Sequence, residues 1–560
     1  MRVRFTFETK GPARKRGAAG SAATVCAVAL AALLPLGAWA TPATERAGLK
    51  TGPYAGEHDQ REEVRREFSK NVAWKAGQRV CARHSFGSLT VTAHTAHETR
   101  LRVDMKASAS NRADAEEFIN QIEIRVEENS TGVCFRTEYP EHLMNRRRGN
   151  FSFSVEYNLT VPEAAPLDLR NNFGSVAVRG MAGGAQVVNG HGAVTLEDTR
   201  GAQRVENSFG AITVTGNAGD VDLTGANGNI AATRVEGALT IRNRFGRTTA
   251  LRVSRNLSIR NSNGEVRVET VGGAANIVNS FGGTEVLDVA GLADVQNSNG
   301  RITARDLKGG AALKSSFGNV DAENITGNAD ISASNGRLQV ADVTGEVTLS
   351  ASFGSIEASD IGKGARVTGG NGSITLSDIG GDTFVKTSFG QVRATDINGA
   401  LTVENSNGGI FAGDVTGAAS VRTSFGGVQL EGIGGAVDVQ NNNGSVTVAL
   451  TGGDGRTCRR VALRTGFSPL RIYLPENANY DVHASTSFGR INSDFPLTLT
   501  PGTQLGGGGV SSVAIDSKIG AGGCELRLVN QNGGIEIRNL SSYSARPRTP
   551  PRRPRDRRPA

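Results

Sequence analysis

Apolar residues along most of this chain follow a glycine that recurs with an 18-residue period. The residues two and four positions after each of these glycines are mostly Val, Ile, Leu or Ala, with polar residues between them. A turn, often with a second glycine, follows, and the alternation then resumes. This pattern is typical of two short strands in each unit. The recurring glycines are Gly174, Gly192, Gly210, Gly228, Gly246, Gly264, Gly282, Gly300, Gly318, Gly336, Gly354, Gly372, Gly390, Gly408, Gly426 and Gly444.

The spacing of these units predicts the fold. Sixteen units follow one another without an insertion or a deletion. In a β-solenoid every coil pairs with the coils above and below it, so a one-residue slip would turn each inward side chain outward. No proline occurs between Pro166 and Pro469, as expected where nearly every N–H joins a ladder. We therefore predict an all-β protein, a β-solenoid (β-helix) of sixteen 18-residue units over residues 173–456.

A 36-residue double repeat overlies this period, because the residue before the recurring glycine alternates between Phe and Asn, with His191 in one Asn position. A 36-residue coil would stack Phe on Phe and Asn on Asn. An 18-residue coil would alternate the two along one edge. The inward residues are mostly Val, Ala and Ile, which fill two sheets about 10 Å apart better than a wide coil. We favour the 18-residue coil.

The Phe register leaves two interpretations open. The rings fill a corner of each coil, which we favour, or they face outward as an aromatic platform and form a candidate binding ladder. Many units also carry an Asn two positions before the Phe or Asn, where it suits either a left-handed turn or an internal amide ladder. The candidate binding ladder is Phe209, Phe245, Phe281, Phe317, Phe353, Phe389 and Phe425.

Aspartate recurs just before an apolar residue near the second turn of many units. A carboxylate there can accept backbone N–H groups in an Asx-type turn, so we interpret these residues as turn chemistry rather than catalysis. They are Asp288, Asp306, Asp342, Asp360, Asp378, Asp396 and Asp414.

The segments that flank the repeats are not repetitive. We predict a linker at 41–70, a β-rich N-terminal cap at 71–172 with a short capped helix at 111–120, and a β-rich C-terminal cap at 457–540. A solenoid needs caps because its terminal coils expose unpaired edges. Residues 541–560 are rich in Arg and Pro and are predicted to be disordered.

The N-terminus predicts export. A basic stretch leads into an apolar run at 22–36 and ends Ala38-Trp39-Ala40, the order of a signal peptide at residues 1–40. A membrane anchor is the alternative, but the run is short and contains Pro35. We expect no transmembrane segment in the mature chain and a periplasmic, extracellular or cell-surface location in a bacterium.

Four cysteines remain after the signal peptide. Two precede the repeats and two follow them, and an oxidising compartment favours disulfides. We predict Cys81–Cys134 and Cys458–Cys524, since any other pairing would bridge the whole repeat region. A metal site is disfavoured because it needs closer spacing.

The distribution of charge along the chain does not indicate nucleic-acid binding. The net charge is +8, but residues 1–40 hold six basic residues against Glu8, and residues 541–560 hold seven Arg against Asp556. The remainder is near neutral, at about −3. We therefore expect no nucleic-acid partner.

The chain resembles a bacterial adhesin-like family of domains of unknown function, which is related to head-domain autotransporter adhesins. The resemblance covers roughly residues 70–540 and depends on Tyr-Asn-Leu-Thr-Val-Pro at 157–162, the Gly-x-Val-x-Val units and Asn-Gly-Gly-Ile-Glu-Ile at 532–537. It implies interaction at a cell surface and no catalytic residues. The Phe/Asn alternation, the four cysteines and the Arg/Pro tail depart from the family pattern.

Taken together, these features predict an exported, non-catalytic, adhesin-like repeat protein that presents a regular surface to a glycan or another envelope or cell-surface polymer. Carboxylates do not cluster by type, and His94 and His97 are expected on opposite faces of a strand. We therefore expect no catalytic residue, cofactor or metal site. The alternatives are a polysaccharide-active β-helix enzyme and a passive structural or signalling partner in the envelope.

Overall fold

The computed structural model describes residues 62–139, 151–450, 459–499 and 512–544. The predicted signal peptide, Cys458 and most of the Arg/Pro tail lie outside these ranges. Two boundaries differ from the prediction. A strand begins at Glu62, within the predicted linker, and a 3-10 turn spans Leu540–Ser542, across the predicted boundary between the C-terminal cap and the tail.

The described residues of the N-terminal cap form seven strands and one helix. The helix begins after Asn111, whose side-chain oxygen accepts the amide of Asp114, as expected for a cap, and it buries Ala115, Phe118 and Ile119. The elements are β1 Glu62–Ala73, β2 Arg79–Arg83, β3 Leu89–His94, β4 Glu98–Ala109, α1 Arg112–Asn120, β5 Glu123–Asn129, β6 Gly132–Glu138 and β7 Ser152–Pro162.

The repeats wind into two parallel sheets, one of even-numbered and one of odd-numbered strands. The even strands are β8 Leu167–Phe173, β10 Ala185–His191, β12 Gln203–Phe209, β14 Val221–Asn227, β16 Leu239–Phe245, β18 Leu257–Asn263, β20 Ala275–Phe281, β22 Ala293–Asn299, β24 Ala311–Phe317, β26 Ala329–Asn335, β28 Val347–Phe353, β30 Ala365–Asn371, β32 Thr383–Phe389, β34 Leu401–Asn407, β36 Ala419–Phe425, β38 Val437–Asn443 and β40 Val461–Phe467. The odd strands are β9 Val176–Arg179, β11 Val194–Arg200, β13 Ile212–Ala218, β15 Ile230–Val235, β17 Thr248–Val253, β19 Val266–Val271, β21 Thr284–Val289, β23 Ile302–Leu307, β25 Val320–Ile325, β27 Leu338–Val343, β29 Ile356–Ile361, β31 Ile374–Ile379, β33 Val392–Ile397, β35 Ile410–Val415, β37 Val428–Ile433, β39 Val446–Ala449 and β41 Leu470–Leu474.

Each coil of the solenoid corresponds to one 18-residue unit of the sequence. Leu239 pairs with Leu257 on the even sheet, and Thr248 pairs with Val266 on the odd sheet, both in parallel register. The predicted β-solenoid and the favoured 18-residue coil are therefore confirmed, and Phe and Asn alternate along one edge. The 36-residue period is a repeat of side chains, not of the backbone.

The core is a column of small aliphatic side chains between the two sheets. In β25, Val320, Ala322 and Ile325 point inward and are buried, and Ala329 and Ile331 of β26 complete the coil. Burial of apolar surface along such a column provides the main stabilisation. Each coil depends on its neighbours because it cannot bury its faces alone.

The recurring glycine is required by the close approach of successive coils. A Cβ on Gly318 would lie 2.1 Å from the carbonyl oxygen of Gly300, one coil earlier, and the φ of Gly318 is +153°. Both the contact and the backbone angle exclude other residues. The same clash recurs from coil to coil, which explains the unbroken 18-residue spacing.

A bulge bends each odd strand. Two consecutive residues, such as Glu323 and Asn324, face outward before Ile325 returns to the core. The second of these residues is left-handed in twelve coils, with φ between 49° and 59°: Asp198, Arg234, Arg252, Thr270, Asp288, Asp306, Asn324, Asp342, Asp360, Asp378, Asp396 and Asp414. Asp and Asn tolerate this conformation better than most residues.

The left-handed bulge corrects the Asx-turn interpretation of these aspartates. Bonds from a turn side chain to backbone N–H groups do form, but at another position and between coils. Asp220 accepts the amide of Ala238 at 2.8 Å, and Asp382 accepts that of Ala400 at 2.8 Å. Asp recurs at the predicted positions because the bulge requires a left-handed residue.

Both caps contribute coils that the 18-residue spacing does not reveal. In the N-terminal cap, β2 pairs with β8 and β3 pairs with β9, so Ser85, Phe86 and Gly87 repeat the edge motif below Gly174. The C-terminal cap contains β42 Tyr480–Thr486, β43 Ile491–Ser493, β44 Thr498–Leu499, β45 Val513–Ile519, β46 Cys524–Asn532 and β47 Ile535–Asn539. There β46 stacks on β40, and the earlier strand β42 stacks on β46, so spatial order departs from chain order.

One predicted disulfide is confirmed. Cys81 and Cys134 lie opposite each other in the parallel β2–β6 pair and are bonded. Cys524 is also disulfide-bonded. Its predicted partner, Cys458, lies outside the described residues, so that pairing stays a prediction.

Removal of a whole double repeat should be tolerated better than removal of one residue. Deletion of residues 282–317 joins Phe281 to Gly318 and preserves the register, so we expect a cooperative unfolding transition close to that of the parent. Deletion of Asp321 alone shifts the inward face of β25 and should cost about 3 kcal/mol or more. Thermal unfolding followed by circular dichroism measures both. Greater damage from the larger deletion would contradict the stacking register.

Loss of the Cys81–Cys134 bond should destabilise the N-terminal cap. The bond closes a loop with a sequence separation of 53. Cys134→Ser should therefore lower the free energy of unfolding by about 4 kcal/mol. Chemical denaturation with and without reductant measures the free energy of unfolding. In the variant, reductant should have no further effect on the stability of the N-terminal cap. Equal stability of the parent in both conditions would contradict the expectation.

Candidate functional site

An exposed column of phenylalanines runs along the edge where the even strands end. We call this column, with the Asn and His residues that alternate with it, the aromatic edge. Its Phe side chains are 46% to 63% exposed. They are Phe173, Phe209, Phe245, Phe281, Phe317, Phe353, Phe389, Phe425, Phe467 and Phe488.

The favoured interpretation that Phe fills a corner of each coil is wrong. Alternation along β24 from Leu313 and Ser315 would turn Phe317 inward, but the chain bends at Gly318 and the ring points to solvent. The residue two positions before the Phe or Asn takes the inner corner instead. That corner contains backbone carbonyl groups, which an amide or hydroxyl can satisfy and a Phe ring cannot.

Buried asparagines form the internal amide ladder that the sequence left open as one alternative. Asn207 donates to the carbonyl oxygens of Gly192 and Gly210 at 2.9 Å and 3.0 Å, which joins two coils. Asn261 donates to the side-chain oxygen of Asn279 at 3.0 Å. The later coils are mixed: Ala or Gly takes the position at 333, 351 and 369, Ser315 and Thr387 carry a hydroxyl group, and Asn405 and Asn441 restore the amide. The amide and hydroxyl groups stabilise the corner beneath the aromatic edge.

The rings at the start of the aromatic edge stack along the solenoid axis. His191 lies 4.7 Å from Phe173 and 4.8 Å from Phe209 between ring centroids, with interplanar angles of 13° and 7°. In the next coils Asn replaces His. The amide of Asn227 bends toward the carbonyl of Ser208 at 3.4 Å. The shorter Asn leaves an open notch between Phe rings that are about 9.6 Å apart, two strand spacings of ~4.8 Å.

The alternation continues through the C-terminal cap despite its changed chain order. Asn443 pairs with Phe467, and Phe467 pairs with Asn532. The amide of Phe488 then bonds the carbonyl of Gln531, which places Phe488 on the coil beyond Asn532. Along the chain Phe488 precedes Asn532, but in space the order is Phe, Asn, Phe. Residues 487–489 repeat the Ser-Phe-Gly motif of the solenoid units, and the strand pairing places them on this coil.

One flank of the aromatic edge is almost free of charge. The residue before the Phe, Asn or His is Ser in ten of the sixteen units, and Arg244 is the one charged residue among the sixteen. On the other flank charges occur at 247, 265, 301 and 337, and Arg247 pairs with Glu265 at 2.8 Å. The edge is therefore a long strip of rings and small polar side chains.

A second ordered surface is the aspartate column of the bulge. Asp360, Asp378 and Asp396 line a groove of about 1070 Å³. Burial, together with the charges of Asp396 and Asp360, raises the pKa of Asp378 above its ordinary value. At Asp288 the ammonium of Lys308 lowers the pKa of the carboxyl group. The left-handed backbone already explains the column, so we assign it a structural role.

Charged residues on the sheet faces pair between coils. Arg179 bonds Glu197 at 2.7 Å, and Arg267 bonds Glu285 at 2.9 Å, each 18 residues apart. Such exposed pairs contribute little individually. Among the described residues, no group of three or more His, Cys, Asp or Glu is placed to hold a metal ion. Across the same ranges, no helix has the length and apolar character to span a membrane.

Comparison with known proteins gives distant similarity to solved structures, including the following two. A "putative cell adhesion protein" from Clostridium sporogenes matches with 13% identity and a TM-score of 0.17, over 43% of this chain and 100% of that one. A "putative adhesin" from Parabacteroides distasonis matches with 10% identity and a TM-score of 0.18, over 54% and 97%.

Two further comparisons give no match. No family model matches the chain, and no curated protein matches it.

Neutralising Asp378 should stabilise the protein at neutral pH. A raised pKa means that the folded state binds the proton more tightly than the unfolded state, so stability rises as pH falls through the folded pKa. Asp378→Asn should raise the free energy of unfolding at pH 7 by about a few tenths of a kcal/mol, because solvent screens this mostly exposed carboxylate, and the gain should shrink near pH 4. Denaturant unfolding at both pH values measures the effect.

Asp288→Asn is the matched control, since it occupies the same column. Its carboxylate is stabilised by Lys308, which lowers its pKa. The substitution should therefore reduce stability at pH 7. Equal effects of the two substitutions would contradict the electrostatic account of the column.

Proposed function

We propose that this chain is an exported, non-catalytic, adhesin-like repeat protein whose aromatic edge binds an extended partner at the bacterial cell envelope or surface. Residues 1–40 direct export and are removed. The Cys81–Cys134 disulfide supports this location, because such bonds persist in oxidising compartments.

The observation that carries the proposal is the exposure of Phe at alternate coils. Contiguous apolar surface facing water is unfavourable, and such surfaces usually mark interaction sites. The solenoid holds the rings in a straight row on a rigid backbone, so little conformational entropy is lost when a partner binds. Many equal contacts along the row also add up through multivalency.

The repeated geometry suits a partner that is itself extended. A glycan chain or another envelope polymer would meet similar rings at every second coil, with small polar groups between them. Partner selection in this arrangement depends on spacing rather than on one deep pocket. The aromatic edge binds its partner without altering it chemically.

Replacement of the central rings should abolish binding and preserve the fold. Phe281→Ser, Phe317→Ser and Phe353→Ser together remove three half-exposed rings, so each should cost well below the ~3–5 kcal/mol typical of a core Phe. Pull-down with purified envelope polysaccharide and with whole cells measures binding, and thermal unfolding measures stability.

Phe135→Ser provides the matched control, because Phe135 is fully buried in the N-terminal cap. It should lower the free energy of unfolding by about 3–5 kcal/mol. A folded triple variant that binds polymer, cells and a second copy of the chain as well as the parent does would contradict the proposal. Turnover by the parent protein on a panel of polysaccharides would favour the enzyme alternative instead.

A further inference from the structure

We propose that the extended partner of the aromatic edge is the same edge of a second copy of this chain, paired antiparallel, with the Phe rings of each copy inserted in the notches of the other. This proposal rests on the proposed function, since it requires the edge to be a binding surface. It explains why Phe alternates with a shorter residue, whereas a simple apolar strip would be served by Phe in every coil.

The notch has the dimensions of one flat ring. His191 already occupies this position between Phe173 and Phe209, at 4.7 Å and 4.8 Å from the two rings. Where Asn replaces His, its side-chain amide lies close to the backbone of the preceding coil. Asn263, for example, donates to the carbonyl oxygen of Arg244 at 3.4 Å. The outer part of the slot is then open to a ring from outside. Offset or parallel stacking of aromatic rings at such distances is favourable.

Only a second copy matches this period by construction. Its Phe rings are also separated by two coils, so every ring that enters a notch sets the next one in register. Interdigitation of this kind resembles the packing of identical side chains between paired sheets. A partner with any other period would fall out of register along the edge.

Two-fold symmetry selects the antiparallel arrangement. In a parallel pair related by a two-fold axis along the solenoid, equal coils face each other and Phe meets Phe. In an antiparallel pair, an axis that passes between two coils places each Phe from Phe209 onward opposite an Asn position of the repeats, except for the ring that meets His191. The contact is then isologous and closes as a dimer, the usual form of soluble homo-oligomers. The edge stops alternating at its N-terminal end, where Phe86 stacks directly on Phe173.

The edge has enough area for a stable dimer. A Phe side chain buries on the order of 200 Å², so ten half-exposed rings offer roughly 1,000 Å² per copy. Two copies would bury about 2,000 Å², within the range of specific interfaces. The serine-rich flank permits close approach of the two backbones, because small uncharged side chains border the rings.

The alternation in the C-terminal cap supports the same conclusion. Strand β46 is inserted between β40 and β42, yet Asn532 falls between Phe467 and Phe488. The order of ring and notch is therefore kept through this rearrangement, whereas in the N-terminal cap Phe86 follows Phe173 directly. Phe173 and Phe488 are eighteen strand spacings apart along this edge, which corresponds to ~86 Å.

The decisive experiment fills the notches instead of removing the rings. Asn299→Phe with Asn335→Phe adds apolar surface to the edge but closes two central notches, and His191 shows that a ring is tolerated there. Sedimentation equilibrium of the purified exported chain should show a dimer for the parent and at least a tenfold weaker dimer for this variant. Stronger association of the filled variant would overturn the proposal, since it would indicate nonspecific apolar contact.

Two further variants complete the design. Phe281→Ser, Phe317→Ser and Phe353→Ser together should also weaken the dimer at least tenfold. Phe384→Ser with Phe411→Ser removes two rings outside the edge, where Arg366 and Arg393 lie over them, and should leave the dimer unchanged. Thermal unfolding confirms that each variant is folded.

Spin-label distances test the orientation. Lys314 lies near the middle of the solenoid and Arg170 near its start, and both side chains point outward from the even sheet. The substitutions Lys314→Cys and Arg170→Cys provide the attachment sites for the spin labels. An antiparallel dimer should bring the two Lys314 labels close together and hold the Arg170 labels ~80 Å apart. Short distances for both pairs would indicate a parallel dimer and overturn the proposal.

The outcomes separate this inference from the proposed function. A parent protein that is monomeric, but loses polymer or cell binding with the triple Phe→Ser change, would overturn self-pairing and leave the proposed function standing. A monomeric parent whose polymer and cell binding is unaffected by that change would overturn both.

Discussion

The structure depends on parallel backbone pairing between each coil and the next one, at an 18-residue offset along the chain. This pairing forces the recurring glycine, because the carbonyl of Gly300 occupies the space of a Cβ on Gly318. It aligns equivalent side chains of successive coils in columns, and it makes the stability of each coil depend on the coils next to it. The aliphatic core, the amide ladder, the aspartate bulge and the aromatic edge are four columns generated by one register. A change in that register would displace all of them together.

Sequence reasoning reached the fold because period and alternation report directly on register. The 18-residue spacing, the absence of proline between Pro166 and Pro469 and the Cys81–Cys134 pairing each followed from a geometric requirement. The capped helix was visible because Asn111 precedes a helical pattern. Those features are local, or they repeat often enough to be recognised from the sequence alone.

Other features depended on how the chain bends in space. Strict alternation placed Phe317 inward, but the turn at Gly318 reverses that expectation. The inner corner holds Asn, Ser or Thr in twelve of the sixteen units and Ala or Gly in the other four. The aspartates marked a left-handed bulge that periodicity cannot distinguish from a turn. The coils within the caps were hidden because Phe86 and Phe488 lie outside the 18-residue spacing. Pairing between distant segments is not encoded in a local pattern.

The functional account follows from the same register. A solenoid that must stack its coils can present an ordered row of rings, and the alternation with Asn gives that row a period of its own. The central claim is that outward positions separated by whole 18-residue units form a straight column, which spin-label distances measure directly. Labels at Arg242 and Lys314 are four coils apart, and labels at Arg242 and Lys386 are eight coils apart. The account predicts distances of about 19 Å and about 38 Å, in linear proportion to the number of coils; distances that do not grow with sequence separation would contradict it.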